Sequence, residues 1–278
     1  MIKFCALYSG SSGNSYFVEI DGTKLLVDAG TSSKKIKDAL ISIGEKIENI
    51  QGVLITHEHI DHVKGLKVLL KKQNIPIYTT NKTFKAILSI YPELKQNQFI
   101  PFKSGDKFKI NNTYIKSIRI SHDATDPVAF YFKDINENKI AILTDLGYIS
   151  EGVYQSVISS KLVLLESNYE PNILQVSDYP SYLKRRIISE YGHLSNEDAS
   201  NFAKELIKNG THTLILGHLS LNTNTEKIAY QNMKNAIIST LGLEEQINIE
   251  SDKDILKENN IILQVAKRDS VGELHIIE

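Results

Sequence analysis

Gly52-Val53-Leu54-Ile55-Thr56-His57-Glu58-His59-Ile60-Asp61-His62 decides how this chain is read. The first four residues form an apolar run typical of a buried strand. Directly behind it, three imidazoles and the carboxylate of Asp61 fall within six residues. Imidazole and carboxylate together suit zinc, manganese or iron. A strand that stops in a tight loop can aim all four groups at one point. His57 and His59 alternate with Glu58, so in extended chain they project to the same side. Asp61 and His62 come on the next turn, where they can serve a second ion. The mundane alternative is a solvated loop rich in histidine.

Working outward, the N-terminal third reads as strand, strand, strand, helix, strand. Lys3 to Tyr8 is apolar and extended, and Tyr16 to Ile20 and Lys24 to Val27 flank the hairpin signal Asp21-Gly22. Ile36, Leu40 and Ile43 give Ser33 to Ile43 helical spacing, closed by Gly44. A helix over Val63 to Lys72 is expected after the histidine loop. Further strands are expected at 75–78, 99–100, 108–110, 114–120, 128–132 and 140–143, with a helix over 82–90. Beyond position 150 the order is helix, strand (Leu162 to Glu166), helix, helix, strand (Thr213 to Leu216), helix, with a last strand at 261–265. Two βαβ-rich halves without a linker predict an α+β four-layer αββα sandwich, two mixed sheets face to face with helices outside, as a single domain over residues 1–278.

The bulk properties exclude several classes. A chain of 278 residues can bury a substantial core. A net charge of -1 makes no global bid for nucleic acid or membrane, although a local basic stripe remains compatible with it. Cys5 is the only cysteine, which rules out an internal disulfide and a cysteine-rich zinc site. With no signal peptide and no long apolar run, the chain reads as cytoplasmic.

A two-metal site needs more ligands than one loop supplies, and they should sit at other strand ends. His122 follows the strand 114–120, Asp145 follows 139–144, and His218 follows 213–217. Singly each has an ordinary explanation, a turn aspartate or a surface histidine. Their recurrence at three strand ends behind the histidine loop is hard to dismiss. Asp28 ends another apolar strand, where a buried carboxylate is costly without a partner. The pattern HxHxDH resembles the signature of the metallo-β-lactamase superfamily of hydrolases. That resemblance implies that His57, His59 and His122 hold one ion. It gives the second to Asp61, His62 and His218, with Asp145 bridging and Asp28 hydrogen-bonding a ligand histidine or the loop backbone. Zinc and manganese both suit this donor set.

Ser9 to Ser15 is a loop of small residues that can bring backbone N–H groups to an anion, with Ser11 and Asn14 as substrate contacts; a flexible turn explains it equally well. Ser195 and Asp198 resemble a capping box opening a helix over 197–209. The cap does not explain His193, which lies before that helix and could bind a scissile phosphate or protonate the leaving oxygen. Glu166 or Asn168 could face the site and hydrogen-bond His193. Lys184-Arg185-Arg186 is the densest basic cluster, either a solvated helix face or a phosphate-contacting patch. His212 and His275 lack strand-end context.

The resemblance narrows at Phe4 to Ser15, at His122-Asp123-Ala124 with Asp126-Pro127, at Glu166 to Tyr169, and from Tyr179-Pro180 to Asn196. Together these resemble the bacterial YycJ/WalJ group of metallo-hydrolases. That implies a manganese-stimulated 5′-to-3′ DNA exonuclease linked to mismatch repair, with Asp61 and His193 as catalytic residues, DNA as partner through local contacts, and repair proteins nearby. Only 72 residues separate Asp145 from His218, which leaves no room for a β-CASP domain. The alternatives are hydrolysis of a small phosphodiester or ester, which the near-neutral charge favours, and a metal-dependent binding module without turnover. β-Lactam hydrolysis is disfavoured because no secretion signal is present.

Overall fold

A computed structural model describes the chain apart from residues 73, 95, 243–255, 257 and 258. Its strands assort into two mixed sheets of seven. The chain divides into two compact units: residues 1–119, 123–138 and 266–278, and residues 120–122 and 139–265.

In the first unit, β1 (Ile2–Tyr8), β2 (Ser15–Ile20) and β3 (Thr23–Val27) form an antiparallel meander. Asp21 and Gly22 turn it at φ 48° and 81°, the left-handed pair that suits a tight hairpin. β4 (Gly52–Leu54), β5 (Ile77–Thr80) and β6 (Phe99–Phe102) then add in parallel beyond β3. Helix α1 (Ser33–Ser42) makes the first crossover, and the Ser32 hydroxyl caps it by accepting from Lys35 N. The remaining helices of this unit are α2 (Ile60–Val63), α3 (Leu66–Lys72) and α4 (Asn81–Ile90). A second antiparallel set, β7 (Lys107–Ile110), β8 (Thr113–Arg119) and β9 (Val128–Lys133), follows.

The second unit carries β10 (Lys139–Leu143), β11 (Leu162–Glu166), β12 (Thr213–Gly217) and β13 (Ile262–Val265), all parallel. β11 and β12 are buried along their whole length, which explains their unbroken apolar character. Its helices are α5 (Glu151–Val157), α6 (Pro171–Val176), α7 (Ser181–Ile187), α8 (Asn196–Lys208) and α9 (Glu226–Leu241).

The structure departs from the expected elements at three places. The helix expected over 63–72 is broken at Lys64-Gly65 into α2 and α3. A Cβ on Gly65 would lie 2.1 Å from the Thr31 carbonyl oxygen, so the chain bends there against the β3 end. The closing strand β14 (His275–Ile277), which pairs antiparallel with β1, was not anticipated. The β5 ladder starts at Ile77 rather than Ile75, just past Pro76, which has no N–H to donate. Among the described residues no helix is long and apolar enough to cross a membrane.

Candidate metal centre

The histidine loop of the first unit leaves β4 and runs into α2. Asp28, the residue after β3, adopts φ 62°, a left-handed conformation unusual outside glycine. Its fully buried carboxylate accepts from Thr56 N at 2.9 Å, from Thr56 Oγ1 at 2.9 Å and from His62 Nδ1 at 2.8 Å. Burial pushes the Asp28 pKa above its ordinary value, against the pull of His62 and Thr56. Because the Thr56 hydroxyl donates to Asp28, it accepts from His57 Nδ1 at 3.0 Å. Both buried imidazoles therefore carry their proton on Nδ1 and keep Nε2 as the acceptor, which is the lone pair a metal takes. The His57 ring centroid lies 4.5 Å from that of His59 and 4.1 Å from that of His62.

Asn14 ties the small-residue loop to this cluster. Its Nδ2 is 3.1 Å from His62 Nε2 and 3.3 Å from Asp61 Oδ2, while its Oδ1 accepts from Gly10 N and Tyr16 Oη. Asn14 N also donates to the Asp61 carbonyl. Gly30 makes this approach possible: a Cβ there would stand 1.6 Å from the Asp61 carbonyl oxygen. Ser11 is exposed, and its hydroxyl accepts from Arg268 Nη1 at 3.4 Å. Glu58 takes no part in the imidazole cluster by its Oε1, which clamps Thr125 through N and Oγ1.

The second unit holds a cluster built from separate strand and helix ends. Asp145 follows β10 and His218 follows β12, at φ 57° and 53°. Such conformations in non-glycine residues persist only where the surroundings hold them, and they gather at functional sites. Glu166, the last residue of β11, is fully buried. Its Oε1 accepts from His193 Nδ1 and from His218 Nδ1, each at 2.8 Å, and its Oε2 accepts from Leu146 N and Leu194 N. Burial pushes the Glu166 pKa up, but the two imidazoles outweigh it and the net shift is downward. His122 turns Nδ1 to the Gly192 carbonyl at 3.1 Å and Nε2 toward Asp145 Oδ1 at 3.7 Å. Asp145, Glu166, His193 and His218 each bring a ligand-type atom within 4.8 Å of the others.

The metallo-beta-lactamase superfamily model matches residues 8–218. The chain belongs to the metallo-β-lactamase superfamily. It is 36% identical to exodeoxyribonuclease YycJ of Bacillus anthracis, over 82% of this chain and 86% of that protein. It is 37% identical to exodeoxyribonuclease WalJ of Streptococcus pneumoniae, over 84% of this chain and 88% of that protein. Among solved structures, the metallo-β-lactamase fold protein YhfI of Bacillus subtilis shares the fold, with a TM-score of 0.68, 17% identity and 98% and 100% of the two chains covered.

Of the residues singled out by this metallo-β-lactamase reading, His57, His59, Asp61, His62, Asp28 and Asn14 gather in the first unit. His122, Asp145, His193 and His218 gather in the second. The choice between Glu166 and Asn168 resolves by geometry. Glu166 holds His193, while Asn168 Nδ2 donates to the His218 carbonyl oxygen at 2.8 Å. Arg185 and Arg186 lie exposed on α7. His212 pairs with its neighbour Thr213, and His275 is buried in β14. Sequence reasoning missed that Glu166 holds two imidazoles at once. The available signal was a carboxylate ending an otherwise wholly apolar, doubly covered strand.

Proposed function

We propose that this superfamily member is a dinuclear-metal phosphodiesterase, a 5′-to-3′ DNA exonuclease serving mismatch repair. One observation carries the reading: identity of 36–37% to two exodeoxyribonucleases over more than four-fifths of the chain. The imidazole and carboxylate donors of both units support it. We assign His57, His59 and His122 to one divalent ion, Asp61, His62 and His218 to the other, and Asp145 to both. The donors fit such ions because Nδ1 of His57, His62, His122 and His218 is each committed to a hydroxyl, carboxylate or carbonyl oxygen. That turns Nε2 toward the metal-binding role, and on His62 the same nitrogen also meets Asn14 Nδ2 at 3.1 Å. Both zinc and manganese accept these ligands, and manganese is favoured for the nuclease. When bound, the pair of ions supplies an activated water and offsets charge on the phosphoryl oxygens. His193, oriented by Glu166, contacts the scissile phosphate or gives a proton to the leaving 3′-oxygen. Ser11, Asn14, Asn168, Arg185 and Arg186 complete the substrate contacts. We read residues 1–278 as one metallo-β-lactamase-like domain without a β-CASP insertion, since one family model spans both units.

The test is manganese-supplemented digestion of end-labelled, 5′-phosphorylated duplex DNA by wild type and Asp61→Ala. The reading predicts progressive shortening from the 5′ end by wild type alone. Equal digestion by both preparations, or none by either, overturns it. In the latter case a small phosphodiester, the substrate that the net charge of -1 favours, becomes the leading reading.

A further inference from the structure

The helix in front of His193 presents a surface that the metal chemistry does not use. The inner side of α7 is anchored: Ile187 is buried against Tyr169 and Leu174, with Tyr179 and Leu183 packed on the same cluster. The Ile187 carbonyl also accepts from His193 N at 3.0 Å, so the helix and the backbone of His193 form one hydrogen-bonded piece. Gly192 permits this turn, because a Cβ there would stand 2.0 Å from the Ile187 carbonyl oxygen. With Leu183 and Ile187 facing inward at i and i+4, Tyr182, Arg185 and Arg186 fall together on the outer side at i, i+3 and i+4. Tyr182 is 68% exposed, and Tyr191, two residues before His193, is 61% exposed. Ile188 adds a further exposed apolar side chain at 59%. The helix, Ser-Tyr-Leu-Lys-Arg-Arg-Ile, carries three cations and no acidic residue.

We propose that the outer face of α7 is a strand-binding platform on which Tyr182 stacks against a base while Arg185 and Arg186 hold the flanking phosphates. Aromatic rings beside cations are the combination that grips single-stranded nucleic acid without reading its sequence, because every base has a π-face and every linkage a charge. A sequence-tolerant grip suits an exonuclease that removes nucleotides of any sequence from a strand end. Coupling to His193 through Ile187 keeps the gripped strand in register with the group that meets the scissile phosphate. The inference rests on the nuclease reading above and deepens it by naming the bound form, a strand whose terminal bases are unstacked from the duplex.

Two measurements separate the platform from the nuclease reading. The first is fluorescence anisotropy of a short, labelled phosphorothioate oligothymidylate on manganese-loaded protein, repeated with an oligonucleotide carrying abasic positions. Tyr182→Ala is expected to weaken binding of the base-bearing strand about tenfold. Tyr182→Phe restores it, and the alanine variant no longer distinguishes base-bearing from abasic strands. The doubly substituted Arg185→Gln, Arg186→Gln protein lowers the slope of log affinity against log salt by about 0.7 per arginine. The second is steady-state digestion, where Tyr182→Ala raises KM far more than it lowers kcat. Active digestion with strand binding unchanged in Tyr182→Ala overturns the platform, leaves the nuclease reading intact and assigns the face to a protein partner. Base-dependent strand binding without digestion supports the platform and overturns the nuclease reading.

Discussion

The histidine loop and the Glu166 cluster reach similar chemistry by opposite routes. The loop is continuous: His57, His59, Asp61 and His62 share one strand-to-helix junction, and one carboxylate, Asp28, orients one imidazole directly and a second through Thr56. The Glu166 cluster is discontinuous. Asp145, Glu166, His193 and His218 come from four chain segments, and Glu166 holds two imidazoles with a single oxygen. A contiguous cluster keeps its geometry from local backbone. A dispersed one depends on a hub, and losing the hub should cost more than losing a peripheral support.

The largest expected effect is removal of a ligand from either region. His57→Ala and His218→Ala should each lower kcat/KM by more than about a hundredfold, beyond the range typical of residues that merely support a metal ligand. Steady-state digestion at saturating manganese checks this, and a His218→Ala enzyme with wild-type rates would remove the second cluster from the chemistry. Next come the supporting carboxylates. Glu166→Gln should cost about a hundredfold in activity and Asp28→Asn nearer tenfold, since Glu166 orients two rings directly and Asp28 one. Equal losses would erase the hub distinction.

Gly30→Ala probes the contiguous route. Its Cβ would meet the Asp61 carbonyl at 1.6 Å, so the loop must shift. Overpacking of this kind costs about 1–3 kcal/mol and should weaken metal binding, whereas Gly22→Ala meets no neighbour and strains only its own turn at φ 81°, so it should lower the melting temperature and leave metal binding little changed. The smallest effect is on acid stability. Glu166 is held below the ordinary glutamate range, so its contribution is complete above that range and is lost as pH falls through the lower folded value. Glu166→Gln should flatten that part of the metal-free stability profile, measured by urea unfolding between pH 3 and pH 6. An unchanged profile would mean the two imidazoles do not hold the carboxylate ionised.

The same contrast explains what could be read from sequence. The loop was legible because spacing alone brings His57 and His59 to one side and the apolar run ahead of them marks the strand. Asp145 and His218 were legible as polar residues where apolar strands stop, although nothing in their spacing reveals the left-handed backbone that aims them. The break at Gly65 was not legible, since only the Thr31 carbonyl, brought there by the β3 end, makes a side chain impossible. Nor was β14, three residues long, whose partner β1 lies at the other end of the chain. The role of Asn14 needed tertiary contact too: a small-residue loop announces close approach but not that Asp61 and His62 are what it approaches.

The most direct test of the account is the metal stoichiometry of stripped protein titrated with manganese, read by calorimetry and confirmed by elemental analysis. Two ions per chain are expected, and Asp28→Asn and Glu166→Gln should both weaken the class that needs His62 and His218, since the two carboxylates hold those rings. A wild-type chain that takes up one ion or none would contradict the two-ion assignment.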